Sequence, residues 1–169
     1  MLYPADGRSR ALLVTPADAA APALPALTEA QWQWTEVRSG VVLISQPSFE
    51  ALVPQMLNYE SVGGVNFKKG CYPGQEVVAR SQFRGTLKRR AYLVHADAEL
   101  AAGQEVFQQA DREQPTGIIV QAAPAPGGGY DAVASMQIAA AEAGGLTAGG
   151  PDGPALKREP LPYALLEDI

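Results

Sequence analysis

The second half of this 169-residue chain is built from short apolar segments separated by turn-forming residues. The segments are AYLV at 91–94, QEVF at 104–107, TGIIVQA at 116–122 and YDAVASMQI at 130–138. Between them lie Ala-Gly, Glu-Gln-Pro and Gly-Gly-Gly. Short strands with frequent turn signals are typical of antiparallel sheets. We therefore expect residues 86–169 to form an antiparallel β-barrel of about five to seven strands.

Residues 1–85 mix helical and strand patterns, so the expected fold class is α+β. Thr28 and Gln31 have the spacing of a capping box at a helix start, and Gly40 suits the position after its end. The apolar runs RALLV at 10–14 and VVLI at 41–44 predict two strands.

Two further segments carry a weaker structural signal. Apolar residues at i, i+3, i+4, i+7 and i+8 from Phe49 predict an amphipathic helix, which Pro54 shortens or kinks. The alanine- and glycine-rich stretch 139–154 predicts a mobile hairpin tip.

Composition excludes several classes of protein. Apolar residues make up 47% of the chain, yet there is no continuous run of the ~18 apolar residues that a transmembrane helix requires. The first ten residues lack the apolar core of a secretion signal. The single cysteine cannot form an internal disulfide or hold a metal cluster alone. These features predict a cytoplasmic protein with no membrane partner.

Charge is distributed unevenly along the chain. The net charge is −5, but residues 68–90 contain seven basic residues and one acid, Glu76, which leaves −11 for the rest. The basic residues are Lys68, Lys69, Arg80, Arg84, Lys88, Arg89 and Arg90. Such a segment indicates either an anionic ligand or partner, or a solvated and salt-bridged surface.

The loop KGCYPGQE at 69–76 contains the only cysteine. Pro73 favours a helix start after it, and a helix N-terminus with nearby lysines favours the thiolate form of Cys71. Gly70 and Gly74 allow the backbone to turn tightly and approach a ligand. The alternative is that Cys71 is a small buried residue in a tight turn. His95, the only histidine, lies in an expected strand and is assigned a structural role or a place at the strand end.

The segment FKKGCYPGQEVVARSQFRGTLKRR resembles the signature of the YgfZ family of folate-binding proteins, relatives of the glycine-cleavage T-protein, an aminomethyltransferase. The family hallmark K-G-C-Y-x-G-Q-E matches this chain in the loop. The flanking segments ALVPQMLNYESVGGVNF and ARSQFRG, and LPY at 161–163, also resemble family members. The resemblance starts near Trp34 and covers only the later part of those longer proteins, so a preceding N-terminal half that contributes folate contacts is expected.

The resemblance implies an aminomethyltransferase-like region over 1–85 and a barrel domain over 86–169. It implies tetrahydrofolate as the cofactor, iron–sulfur client proteins or tRNA as partners, and no bound metal. Cys71 is the candidate catalytic residue. The candidate folate-binding residues are Lys69, Gly70, Tyr72, Gly74, Gln75, Glu76, Arg80 and Arg84.

Three functions follow from this resemblance. The first is a folate-binding accessory protein for iron–sulfur enzyme maintenance and tRNA modification. The second is a tetrahydrofolate-dependent aminomethyltransferase, which is the form that an enzymatic activity would take. The third is a tRNA or nucleic-acid binder that uses the basic segment 68–90.

Overall fold

The computed structural model describes residues 2–3, 10–83 and 87–166. Three α-helices and eight strands lie in these ranges, together with 3-10 turns at Gln46–Ser48 and Pro54–Leu57. In chain order they are β1 (Leu2–Tyr3), β2 (Arg10–Ala11), α1 (Glu29–Arg38), α2 (Gln75–Phe83), β3 (Arg89–Ala96), β4 (Glu105–Gln108), β5 (Gly117–Pro124), β6 (Tyr130–Gln137), α3 (Ile138–Ala143), β7 (Leu146–Ala148) and β8 (Ala155–Glu159).

Six strands form a closed antiparallel barrel in the order β3-β6-β5-β4-β7-β8, and β8 pairs with β3 to close it. The longest ladder joins β3 to β6 and runs from Arg89 opposite Gln137 to Ala96 opposite Tyr130. The expected barrel, with five to seven strands over the second half of the chain, is therefore confirmed.

Both faces of the central strands are buried, which explains the nearly unbroken apolar run in β3. Tyr92, Val94 and Ala96 point into the barrel, where all six strands contribute to one core. Ala91 and Leu93 point outward into a second core shared with α1 and the segment that follows it. Successive residues of β3 therefore pack alternately into two apolar clusters, one inside the barrel and one on its outer face.

Two glycines allow the barrel strands to approach closely. A Cβ atom at Gly117 would lie 2.5 Å from Met136 Cβ and 2.6 Å from the Ser135 carbonyl oxygen. At Gly129, where φ is +67°, a Cβ would lie 2.2 Å from the Ala96 carbonyl oxygen. These positions exclude any side chain.

The first helix follows the expected signals. The Thr28 side chain accepts a hydrogen bond from Gln31 N, and Gln31 Oε1 accepts one from Thr28 N, so the capping box is confirmed. Gly40 follows the helix with a φ of +65°. Val37 on the buried face of α1 packs against the outer face of the barrel.

Two sequence expectations for this region are wrong, and a third is confirmed only in part. Residues 41–44 form no strand, and Leu43 and Ile44 are 58% and 47% exposed. Only Arg10–Ala11 of the 10–14 run is a strand, paired with Leu2–Tyr3. Instead of an amphipathic helix from Phe49, the chain makes two 3-10 turns, each with a proline in its first positions. Apolar runs predict strands only where a pairing partner exists.

The alanine- and glycine-rich stretch is also more ordered than expected. It contains α3 and β7, and Ala140 and Ala141 are buried in the barrel core. Within the described ranges, none of the helices is both long and apolar enough to cross a membrane. The aminomethyltransferase-like character of residues 1–85 stays a prediction.

Candidate functional site

The KGCYPGQE loop is held in shape by its own residues. Gln75 N donates to the Tyr72 carbonyl at 3.1 Å, and Tyr72 N donates back to Gln75 Oε1 at 3.1 Å. Gly74, with a φ of +82°, adopts a conformation that L side chains rarely reach. The backbone and side chain of Gln75 therefore both bond to Tyr72 and fix the turn that leads into α2.

Cys71 is exposed in the turn that leads into α2. The alternative, that Cys71 is a small buried residue in a tight turn, is therefore wrong in this structure. Lys69 and Lys68 are also exposed, and the Lys69 ammonium lies 4.6 Å from the centroid of the Tyr72 ring. A thiol, two ammonium groups and an aromatic ring thus share one accessible loop.

The motif helix is anchored through its backbone. The buried amide Nε2 of Gln55 donates to the Val78 carbonyl at 2.7 Å, and Val78 itself is 8% exposed. On the solvent side of α2, Arg80 and Glu76 form an exposed ion pair one helical turn apart. Such pairs stabilise a helix by a few tenths of a kcal/mol and are easily broken by a ligand.

The basic segment does not form one uniform surface. Arg90 is buried, and its guanidinium donates to Glu60 at 2.7 Å and to the Leu166 carbonyl at 2.7 Å. This arginine is therefore structural. Lys88 is exposed and Arg89 half-buried. Arg84, one of the expected folate-binding residues, lies outside the described residues.

A partly buried polar network that joins Asn58, Ala91, Tyr163 and Gly40 was missed by sequence reasoning. Asn58 Nδ2 donates to the Ala91 carbonyl at 2.8 Å and to Tyr163 Oη at 3.3 Å. Tyr163 in turn donates to the Gly40 carbonyl at 2.8 Å, and burial raises the pKa of its phenol above the ordinary value. The only signal in the sequence was the similarity of LNYE and LPY to family segments.

His95 lies near the end of β3, as expected, and pairs with a residue that the sequence did not single out. Its Nδ1 is 2.8 Å from Oδ1 of Asp131, which is directly opposite it on β6. The hydrogen bond to that carboxylate raises the pKa of His95, and partial burial opposes the rise. Trp34 Nε1 donates to the other Asp131 oxygen at 2.7 Å.

The assignment of folate-binding residues in the loop and in α2 stays a prediction. The structure brings Lys69, Gly70, Cys71, Tyr72 and Gly74 together on an accessible loop. It bonds the Gln75 side chain to Tyr72 N and joins Glu76 to Arg80.

Fold and site together define an α+β protein in which a closed antiparallel barrel supports a cysteine-containing loop at a helix start. No protein-family model matches the chain. Two proteins called tRNA-modifying protein YgfZ are similar to it. The one from Edwardsiella ictaluri (strain 93-146) is 41% identical over 70 residues, which is 41% of this chain and 21% of that protein. The one from Cronobacter sakazakii (strain ATCC BAA-894) is 35% identical over 96 residues, 55% of this chain and 29% of that protein.

The resemblance to YgfZ proteins, drawn from the loop motif, is thereby confirmed. The matched part spans less than a third of the length of either relative.

Proposed function

We propose that this chain acts as a YgfZ-type accessory protein in tRNA modification and iron–sulfur enzyme maintenance, and that it binds folate at the KGCYPGQE loop. The observation that carries the proposal is the 35% and 41% identity to two proteins called tRNA-modifying protein YgfZ. The exposure of Cys71 beside two lysines supports a working role for the loop.

The loop suits the anionic end of a folate. The ammonium groups of Lys68 and Lys69 are exposed, and carboxylates of a glutamate tail would pair with them. A Cβ placed on Gly70 or Gly74 meets nothing within 4 Å, so the backbone there is open to a ligand. Tetrahydrofolate would supply a carrier for a one-carbon unit, and these residues would bind and orient it.

A chimera tests the role in tRNA modification. In the chimera, the segment of the Edwardsiella protein that matches this chain is replaced by the matching residues of this chain. The chimera is expressed in a strain that lacks the Edwardsiella protein. We expect it to restore the nucleosides that the strain loses, measured by mass spectrometry of digested tRNA. Cys71→Ala should abolish the restoration, and Glu113→Gln, at an exposed site outside the loop, should not. A folded chimera that restores nothing would contradict the proposal.

Folate binding is tested separately by titrating the chain with tetrahydrofolate. Lys68→Gln combined with Lys69→Gln should weaken binding by about 100-fold or more, since each of the two charge-assisted contacts contributes roughly 1.5–3 kcal/mol. Full affinity in this double variant would remove the loop from the folate site.

Two other functions are distinguished by different measurements. An aminomethyltransferase would turn over a carrier-bound aminomethyl group. A nucleic-acid binder would lose affinity steeply with salt. The role in nucleic-acid binding is less favoured, because Arg90 is buried against Glu60 and is not available to a phosphate backbone.

A further inference from the structure

We propose that a cleft on the outer face of the barrel binds a zwitterionic dipeptide with an apolar side chain, through Arg89 and Glu105. The cleft has a volume of about 350 Å³, at the small end of the range for ligand sites. It lies between the segment that makes the two 3-10 turns and the strands β3, β4 and β5. The KGCYPGQE loop contributes no residue to it, so the site is separate from the proposed folate site.

Arg89 differs from the other arginines in the described part of the chain. Each of those contacts a carboxylate or a backbone carbonyl: Arg10, Arg38, Arg80, Arg90, Arg112 and Arg158. Within the same ranges the Arg89 guanidinium has no hydrogen bond or ion pair, although the residue is half-buried. Half-burial removes part of its hydration, so this guanidinium gains from an anion that offers two oxygens to its fork of N–H groups.

The floor of the cleft is apolar. Arg89 is on the outer face of β3, because alternate residues of a strand share a face and Leu93 belongs to the outer core. Leu52 and Ile118 are partly buried against that core, and Met56 lines the cleft with them. A cation beside such a floor suits an anionic group carried on an apolar body better than a bare inorganic ion.

Glu105 on β4 supplies the opposite charge. It is paired with Ile118 in the ladder between β4 and β5, so it lies on the same outer face. Among the described residues its carboxylate also has no partner. In the barrel order β3-β6-β5-β4, three inter-strand spacings, or about 14 Å, separate the backbones of β3 and β4. Arg89 and Glu105 therefore line one cleft without forming an ion pair with each other.

Two unpaired and opposite charges across an apolar floor match a molecule with a carboxylate and an ammonium group. Arg89 would hold the carboxylate in a bidentate contact, and Glu105 would accept hydrogen bonds from the ammonium. An extended dipeptide is about 7 Å long, which suits a 14 Å gap into which two long side chains reach from opposite ends. A phosphate or a dicarboxylate fits less well, because Glu105 would repel its second negative charge.

A purely solvated role does not account for Arg89. An arginine that only serves the surface is exposed or pairs with a nearby acid, as Arg112 does with Asp152. Arg89 is instead half-buried in a cleft with apolar side chains and has no acid in contact with it.

The test is a titration of the full chain with glycyl-leucine at pH 7, followed by NMR of the backbone amides. We expect saturable shifts in residues 51–56 and at Ile118, with a Kd of about 1 mM or below. Arg89→Gln should weaken binding by about tenfold or more, the usual effect of losing a charge-assisted hydrogen bond. N-acetyl-glycyl-leucine, which lacks the ammonium group, should bind several-fold more weakly, and Glu105→Gln should weaken glycyl-leucine but not the acetylated peptide.

The controls separate this cleft from the loop and from surface charge in general. Arg112→Gln, at an exposed arginine outside the cleft, and the double variant Lys68→Gln with Lys69→Gln should leave the affinity for glycyl-leucine unchanged. Undiminished binding in Arg89→Gln, its loss in the loop variant, or no saturable binding below about 20 mM peptide would overturn the proposal. If Arg89→Gln does not fold, Arg89→Lys decides, because it keeps the charge but not the bidentate fork: a several-fold loss supports the site, and full affinity overturns it.

Discussion

The side-chain amide of Asn58 forms two hydrogen bonds with the backbone of Ala91 in β3. Nδ2 donates to the Ala91 carbonyl at 2.8 Å, and Oδ1 accepts from the Ala91 N–H at 3.3 Å. Strand β8 pairs with β3 only from Leu93 onward, so Asn58 supplies the donor and acceptor of a missing strand. It does so from a left-handed backbone conformation, with a φ of 59°.

Asn58→Ala should lower the free energy of unfolding by about 2–4 kcal/mol, because it leaves a buried N–H and C=O of Ala91 unpaired and keeps the backbone strain. Asn58→Gly loses the same bonds without the strain and should be milder by about 1 kcal/mol. Urea unfolding followed by circular dichroism measures both. Equal stability of Asn58→Ala and the parent chain would mean that the two hydrogen bonds to Ala91 do not stabilise the fold.

The buried pair of Glu60 and Arg90 should behave differently from a surface pair. Arg90→Ala leaves the Glu60 carboxylate, whose side chain is 1% exposed, without its cation and should destabilise the chain by roughly 3–5 kcal/mol. Arg112→Ala breaks the exposed pair with Asp152 and should change stability by less than about 1 kcal/mol.

A double variant, Glu60→Leu with Arg90→Met, tests the reason for that difference. It removes both charges together and should recover most of the loss, since an apolar replacement avoids the unpaired buried carboxylate. A double variant no more stable than Arg90→Ala would point instead to the lost hydrogen bond with the Leu166 carbonyl.

Glycine substitutions probe the tight approach of β5 to β6. Gly117→Ala places a Cβ 2.5 Å from Met136 Cβ, so it should destabilise the barrel by about 2 kcal/mol or more through overpacking. Gly127→Ala is the matched control, because its Cβ would meet nothing within 4 Å. Thermal unfolding should show a lower midpoint for the first variant only. A similar decrease in both would mean that chain flexibility, not space, is the cause.

The barrel could be anticipated from sequence because its information is local. Each segment of alternating or continuous apolar residues ends at a turn signal, as at Gly127 to Gly129. The capping box at Thr28 was equally local. The failures concern partners distant in sequence: the run 41–44 contains strand-forming residues but finds no strand to pair with.

The polar contacts of Asp131 and Asn58 could not be predicted from local sequence patterns, because their partners are distant along the chain. The bond from Trp34 to Asp131 spans 97 residues, and that from Asn58 to Tyr163 spans 105. Neither spacing carries a periodic signal. The loop was found because glycine, proline and cysteine cluster within a few positions, although the bond from Tyr72 N to the Gln75 side chain was not foreseen.

Cys71 should be accessible to a small alkylating reagent in the folded chain, because it is exposed. Alkylation at pH 7 without urea, measured by mass spectrometry, should not be slower than in the urea-unfolded chain. Cys71→Ala should change the free energy of unfolding by less than about 0.5 kcal/mol, as expected for an exposed position. Strong protection in the folded chain would show that the thiol is covered in solution.

Alkaline pH should weaken the fold through its partly buried tyrosines. Burial raises the pKa of Tyr163 and of Tyr59 above the ordinary value of 10.0. The folded state therefore keeps the phenol protons that the unfolded state releases. This contribution to stability is fully present below pH ~10 and is lost as pH rises from there through the raised values.

Tyr163→Phe removes one of these titrations, so the free energy of unfolding should decline less steeply above pH ~10 than in the parent chain. At pH 7 the same variant should be less stable by about 1–2 kcal/mol, because the Gly40 carbonyl loses the hydrogen bond from Tyr163 Oη. Urea unfolding at pH 7, 9, 10 and 11 measures both effects on one protein. An identical alkaline slope in the two chains would show that Tyr163 titrates alike in the folded and unfolded states.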